Sequence, residues 1–183
     1  MLFVTLGSLM RSVCFGVLAC CLYIHLSQSP TMYWNIKIGR NIMQDSIFTK
    51  IIKGKIPCYK VYEDARTFAF LDIEPYFPGH TLVVPKLQVD KFDDLPDEDY
   101  RALFDTVRKV TKQLKQKLET ERVIVQIFGF DVPHTHVHIM PTNDSKQFYQ
   151  AAANHLSGQP YPYQPSQEEF AEIAKKVRME DEV

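Results

Sequence analysis

The sequence predicts an α+β domain: a five-stranded antiparallel sheet with one long helix and a short N-terminal helix. Two observations carry this fold class. Five short strand patterns, Lys60–Glu63, Thr67–Leu71, His80–Pro85, Val123–Phe128 and His134–Met140, are joined by turns and loops. One long stretch, Asp97–Leu118, repeats its apolar residues at helical spacing between the third and fourth of them. A third observation marks the site. In His134-Thr135-His136-Val137-His138-Ile139-Met140-Pro141, three of the six histidines of the chain fall at strict alternation. On a strand, alternate side chains share a face, so the imidazoles line one side and Thr135, Val137 and Ile139 the other. Pro141 has no N–H to extend a ladder and is expected to end the strand.

Residues 1–44 do not share this pattern. Met1–Leu26 is mostly apolar, interrupted by Arg11 and His25, and a polar stretch follows. Three readings compete. Val13–Leu26 falls short of the roughly 20 residues of a spanning helix. A cleaved signal has its apolar core, yet Arg11 comes late and no small-x-small site follows. The third reading is an upstream extension, with Met43 as the working start. The division expected is therefore 1–44 extension, 45–142 catalytic domain and 143–183 C-terminal loop and helix.

From Asp45 onward the elements follow in order. Asp45 or Ser46 caps a short helix, Ile47–Lys53, which Gly54 closes. Asp64-Ala65-Arg66 turns the first strand into the second. Pro75–Gly79, with two prolines and a glycine, is a loop. Pro96 opens the long helix, whose lysines gather toward its C-terminal end. Val123–Phe128 is expected to be buried, and Gly129–Pro133 is a tight loop before the histidines. Lys146–Leu156 is a helical pattern, Ser157–Pro165 a loop, and Ser166-Gln167-Glu168-Glu169 a capping box that opens a last helix.

Composition removes several functions. A net charge of −1 gives no basic face for phosphate backbones, so no nucleic-acid partner is expected. Cys14, Cys20, Cys21 and Cys58 form no CxxC pair and no disulfide framework. The catalytic part suits a reducing compartment. The location expected is cytoplasmic, with membrane anchoring or export only through residues 1–26.

Three imidazoles on one strand face have no packing purpose, and two chemistries remain. Zinc takes histidine nitrogens at about 2 Å, but His134 and His138 stand about 13 Å apart along a strand at roughly 3.3 Å per residue. Two of them with His80 or a carboxylate could still share a metal, though no HExxH pattern supports one. Alternatively, an imidazole held through one nitrogen offers the other as a nucleophile near pH 7, with neighbouring imidazoles orienting a phosphate. The chain carries no Walker loop, GxGxxG or GxSxG as a rival site.

HTHVHIMP resembles the signature of the histidine-triad nucleotide hydrolases and transferases. Asp45–Pro57 (DSIFTKIIKGKIP), Phe68–Gly79 (FAFLDIEPYFPG) and His80–Lys86 (HTLVVPK) resemble three earlier blocks of that family in the same order. The resemblance spans roughly Asp45–Pro141. It implies that His136 attacks the α-phosphorus of a purine nucleotide conjugate, forming a nucleotidyl-histidine that water releases as the monophosphate. It implies that His134 and His138 orient phosphate and assist the leaving group, and that His80 is an additional active-site histidine. Asp72 matches a ribose-gripping carboxylate. Ile47, Phe48, Phe70 and Ile73 match a slot for the base, although core packing explains those four equally well. Gln126 and Val132 complete the nucleotide-binding positions, and a homodimer joined across the long-helix side is implied.

Two departures from the family pattern stand out. Branches with a structural zinc begin the first block with Cys-x-x-Cys, and here those places hold Ser46 and Thr49, so neither a metal nor any other cofactor is expected. The loop before the triad, Gly129-Phe130-Asp131-Val132-Pro133, is shorter than usual, and like charge makes Asp131 a poor phosphate ligand. Substrate preference is left open by this: phosphoramidates or acyl-nucleotides first, then dinucleoside polyphosphates, then a regulatory nucleotide-binding module with little turnover.

Overall fold

The computed structural model describes residues 44–182. The three readings of the N-terminal stretch concern residues outside the described ones. Among the described residues, no helix is long and apolar enough to cross a membrane.

The chain forms α1 (Ile47–Ile52), β1 (Lys60–Glu63), β2 (Thr67–Leu71), β3 (Thr81–Pro85), α2 (Asp97–Leu118), β4 (Val123–Ile127), β5 (Val137–Pro141), α3 (Ser145–Ser157) and α4 (Gln167–Val177). The strands make a five-stranded sheet in the order β1-β2-β3-β5-β4, with every neighbouring pair antiparallel. This is the α+β architecture that the strand patterns and the single long helix predict.

The period-2 code divides the sheet into two faces. Ala69, Leu71, Val83, Val137 and Ile139 point to α2, whose Leu103, Val107, Val110 and Leu114 are buried against them. Phe68, Phe70, Leu82 and Val84 point the other way and pack on Phe48 of α1. β2 and β3 are buried along their whole length because both faces are covered. His138 sits opposite Leu82 on one side and Gln126 on the other, so it belongs to the α1 face. The same alternation that sends Val137 and Ile139 into the core turns His138 toward the site.

Caps set the element ends. Ser46 Oγ accepts the Thr49 N–H at 3.0 Å and starts α1. Ser166 caps α4 by accepting the Glu169 N–H, as the capping box predicts. Gly79 has φ +81°, and a Cβ there would collide with the Leu118 side chain, so only glycine lets this loop deliver His80 to its strand. α4 stacks Phe170 on Tyr59, ring centroids 5.3 Å apart. Beyond it, the N–H groups of Met179 and Glu182 donate to the carbonyls of Val61 and Glu63, both at 2.8 Å. The tail thereby covers the outer edge of β1, an arrangement that removes a row of free backbone groups.

Two expectations need correction. The histidine strand begins at Val137, after His134 and His136, because the short loop bends the chain there: His134 N–H reaches the Val132 carbonyl at 2.7 Å and Thr135 N–H the Val89 carbonyl at 2.6 Å. Pro141 is its last residue, as its missing N–H predicts. β4 is not a buried strand. It lies at the sheet edge with only β5 beside it, and Val125 and Ile127 are 44% and 39% exposed.

Candidate active site

The bend before β5 gives the three histidines different surroundings. His134 is fully buried. Its Nε2–H donates to the Pro85 carbonyl at 2.8 Å, and its Nδ1 accepts from Ser46 Oγ at 2.8 Å. With both nitrogens engaged by the protein, His134 does not line the cavity, and this geometry lends no support to a role for it in orienting phosphate. Ser46, Thr49 and Gln88 complete a closed cluster behind it. Gln88 Oε1 accepts from Ser46 N–H at 2.9 Å and from Thr49 Oγ1 at 2.6 Å. At the two places where the Cys-x-x-Cys of the family pattern would stand, this chain holds hydroxyls that hydrogen-bond to Gln88 and to His134, a donor set without the soft ligands zinc favours.

His136 faces inward. Its Nδ1–H donates to the His134 carbonyl at 2.7 Å, which fixes the tautomer and leaves the Nε2 lone pair toward the cavity. The Phe48 ring meets it edge-on with centroids 5.0 Å apart, walling one side against solvent. Burial pulls the His136 pKa below the usual histidine value, opposed by the His134 carbonyl and the nearby Asp131 carboxylate.

The protons on His80 and His138 follow from one backbone amide. Tyr76 N–H points at His80 Nδ1 at 3.2 Å, so the His80 proton sits on Nε2. That Nε2–H donates to His138 Nδ1 at 3.0 Å. The His138 proton must then lie on its own Nε2, a buried atom without a partner among the described residues. The result is a lone pair on His136 Nε2 and a donor on His138 Nε2, in rings 5.1 Å apart. Burial drives the His138 pKa down to about 4, with His136 adding to the effect. Both rings are neutral at pH 7.

Asp72 closes the other side. Its Oδ1 accepts the Glu74 N–H at 3.1 Å, and its Oδ2 lies 3.6 Å from His80 Nε2 and 3.9 Å from His138 Nδ1. Burial pushes its pKa up to about 6, against the pull of that Glu74 amide. These three atoms are spaced like ligands around a common centre about 2 Å from each. The tautomer opposes a metal there. His80 Nε2 carries the proton that a metal would have to displace, and the Tyr76 amide blocks its transfer to Nδ1.

A cavity of about 460 Å³ joins these groups, lined by Ile47, Phe48, Asp72, Ile73, Val132, His80, His136 and His138 among others. Those eight expected positions come together. Phe70 does not: it is 3% exposed and packs between Phe48 and Phe68 in the core. Gln126 shares the His138 face through the β4–β5 register, and its Oε1 is buried without a partner, but it does not line the cavity. Residues that the sequence reading left out also contribute. Leu82 and Met140 follow by the same period-2 step from His80 and His138. Tyr76, His155 and Tyr161 carried no such signal.

Loss of the His136 lone pair on protonation gives a pH prediction. Because burial lowers its pKa, the fall of kcat/KM toward low pH, as His136 takes up a proton, is expected to have its half-point below 6.5. A pH profile with a half-point at or above 6.5 would contradict this assignment.

A neutral, tautomer-fixed imidazole over a cavity with a second imidazole beside it defines the class: a histidine-lined site at one face of an antiparallel sheet. The sequence model of the HIT domain family matches residues 53–145. An uncharacterized HIT-like protein of Methanocaldococcus jannaschii is 43% identical over 99 residues, which are 52% of this chain and 77% of that one. An adenosine 5′-monophosphoramidase of Schizosaccharomyces pombe is 42% identical over 99 residues, 52% of this chain and 72% of that one. Among solved structures, a Hit-like protein from Bartonella henselae aligns with a TM-score of 0.58 at 31% identity, covering 73% of this chain and 95% of that one. The chain belongs to the HIT domain family.

Proposed function

We propose that the protein hydrolyses nucleoside 5′-phosphate derivatives, phosphoramidates or acyl-nucleotides of a purine nucleoside, through a covalent intermediate on His136. The observation that carries this reading is the Nδ1–H bond from His136 to the His134 carbonyl, which leaves Nε2 as a neutral nucleophile inside the cavity. Relatives named adenosine 5′-monophosphoramidase support the substrate class.

His136 Nε2 gives its lone pair to the α-phosphorus, and the bond from phosphorus to the leaving group breaks. For a phosphoramidate, that electron pair and a solvent proton go to the departing amine. The imidazolium so formed keeps its Nδ1–H on the His134 carbonyl, which stabilises the new charge. His138 Nε2–H is the donor for a non-bridging phosphate oxygen. Water then attacks phosphorus, the bond to His136 breaks, and the nucleoside monophosphate leaves. Asp72 is assigned to the ribose hydroxyls, and Ile47, Phe48, Ile73 and Val132 to the base. Rapid quenching with a labelled adenosine 5′-phosphoramidate is expected to trap about one label per site, labile to acid. Binding without label transfer or product would favour the regulatory module instead.

The resemblance implies a homodimer across the long-helix side; the interface proposed for it here is the β4 edge. Its second side carries no neighbouring strand among the described residues, and Val125, Ile127 and Phe128 are 39–44% exposed there. Substituting Val125→Lys together with Ile127→Glu is expected to turn a dimer into a monomer in light scattering. An unchanged mass would move the interface elsewhere.

A further inference from the structure

Release of a nucleotide from His136 by water needs a group that takes up a proton, and the imidazoles cannot supply it. At that stage His136 Nε2 is bonded to phosphorus. His138 Nδ1 accepts the His80 Nε2–H, and His80 Nδ1 accepts the Tyr76 N–H, so both lone pairs of that pair are taken. We infer that Asp131 is the general base of this second step, taking a proton from the water that attacks the nucleotidyl-histidine. The inference rests on the reading of His136 as the nucleophile.

Position separates Asp131 from the other carboxyl groups of the cavity. His136, His138, His80 and Tyr76 stand in a row, successive ring centroids 5.1, 5.2 and 5.6 Å apart. Asp72 lies at the middle of the row, with Oδ2 3.6 Å from His80 Nε2 and 3.9 Å from His138 Nδ1, and its Oδ1 holds the Glu74 N–H. Asp131 belongs to the His136 end. Its loop is pinned at the next residue, where the Val132 carbonyl accepts the His134 N–H at 2.7 Å. His136 feels its charge, and so does the Tyr76 hydroxyl at the opposite end of the row. A charge felt at both ends, with a screening length of about 10 Å, lies over the row, on the open side of the cavity that Asp131 lines. Water has to come from that side, because in-line attack places it across phosphorus from His136 Nε2.

Charge explains how a carboxylate serves beside a phosphate. No lysine or arginine lines the cavity among the described residues, so an arriving anionic substrate meets Asp131 as like charge and finds no ligand in it. Once phosphorus is bonded to His136 the ring is an imidazolium, and its positive charge balances the phosphate. Asp131 then faces a group without net charge, and being exposed it carries water at the mouth of the cavity. The water oxygen bonds to phosphorus and one of its protons passes to the Asp131 carboxylate. The bond from phosphorus to Nε2 breaks, and its electron pair returns to His136 as the lone pair. Asp131 gives the proton to solvent as the nucleoside monophosphate leaves.

The test is Asp131→Asn, which keeps the size of the side chain and removes the base, followed by rapid quenching with a labelled adenosine 5′-phosphoramidate. Label is expected to reach the enzyme within about fivefold of the wild-type rate while its release slows about 100-fold, the lower end of what a general base contributes. Labelled enzyme then accumulates during turnover. Asp131→Glu, which keeps a carboxylate, is expected to recover about a tenth or more of the wild-type release rate. Unchanged release in Asp131→Asn would overturn the assignment. So would an equal slowing of labelling and release, which is the mark of a structural defect. Absence of label on wild type is a different result and would sink the nucleophilic reading of His136 itself.

Discussion

Replacing His136 by alanine is expected to lower kcat/KM for an adenosine 5′-phosphoramidate by about 10⁴-fold or more and to abolish the trapped nucleotidyl-enzyme. The size of the effect follows from what else the site contains. His138 and His80 are neutral, and their mutual hydrogen bond takes up His138 Nδ1, so neither ring offers a second lone pair in the position of His136 Nε2. Binding through the apolar walls and the His138 donor survives the change. The loss is therefore expected in kcat, with KM little altered. If the variant kept wild-type rates, the covalent route would be wrong, whatever the affinity for nucleotides.

His134→Ala is expected to behave in the opposite way, as a stability variant. It removes a fully buried ring together with its two hydrogen bonds, from Ser46 Oγ and to the Pro85 carbonyl. Unmade buried hydrogen bonds cost about 1–3 kcal/mol each and the cavity adds to that, so a loss of about 3–5 kcal/mol is expected in urea unfolding. That is a large fraction of the roughly 5–15 kcal/mol that holds an ordinary domain together. The group that fixes His136 is the backbone carbonyl of residue 134, which the substitution retains. Molecules that remain folded should still form the nucleotidyl-enzyme. Unchanged stability with a lost covalent step would return His134 to the phosphate.

The contrast between these two histidines shows where the sequence stops. From the letters, His134, His136 and His138 are equivalent by alternation. They separate because the strand starts one residue after His136, so the short loop of Gly129–Pro133 and not the β-period orients the first two. The proton positions lie further from the letters. They depend on the Tyr76 amide, delivered by a loop whose only visible signal was its prolines and glycine. Phe70 stays ambiguous in the sequence for a simpler reason. A phenylalanine on a fully covered strand packs the same way whether the next layer is a base or Phe48, and only the position of α1 decides.

Local chemistry and periodicity therefore determined the strands, the long helix, the caps of α1 and α4, the two faces of the sheet and the identity of His136 as the central group. All but the last depend on neighbours in sequence, through alternating side chains, side-chain caps and helical spacing; the choice of His136 among three equivalent letters came from the family resemblance alone. The tertiary structure alone decided which nitrogen of each ring carries a proton, that His134 turns away, that β4 is an edge, and that His155 and Tyr161 stand over the cavity. Each of these depends on a group distant in the chain, such as the Pro85 carbonyl and Ser46 hydroxyl against His134, or Tyr76 against Tyr161. Contacts of that kind leave no periodic trace in a single sequence.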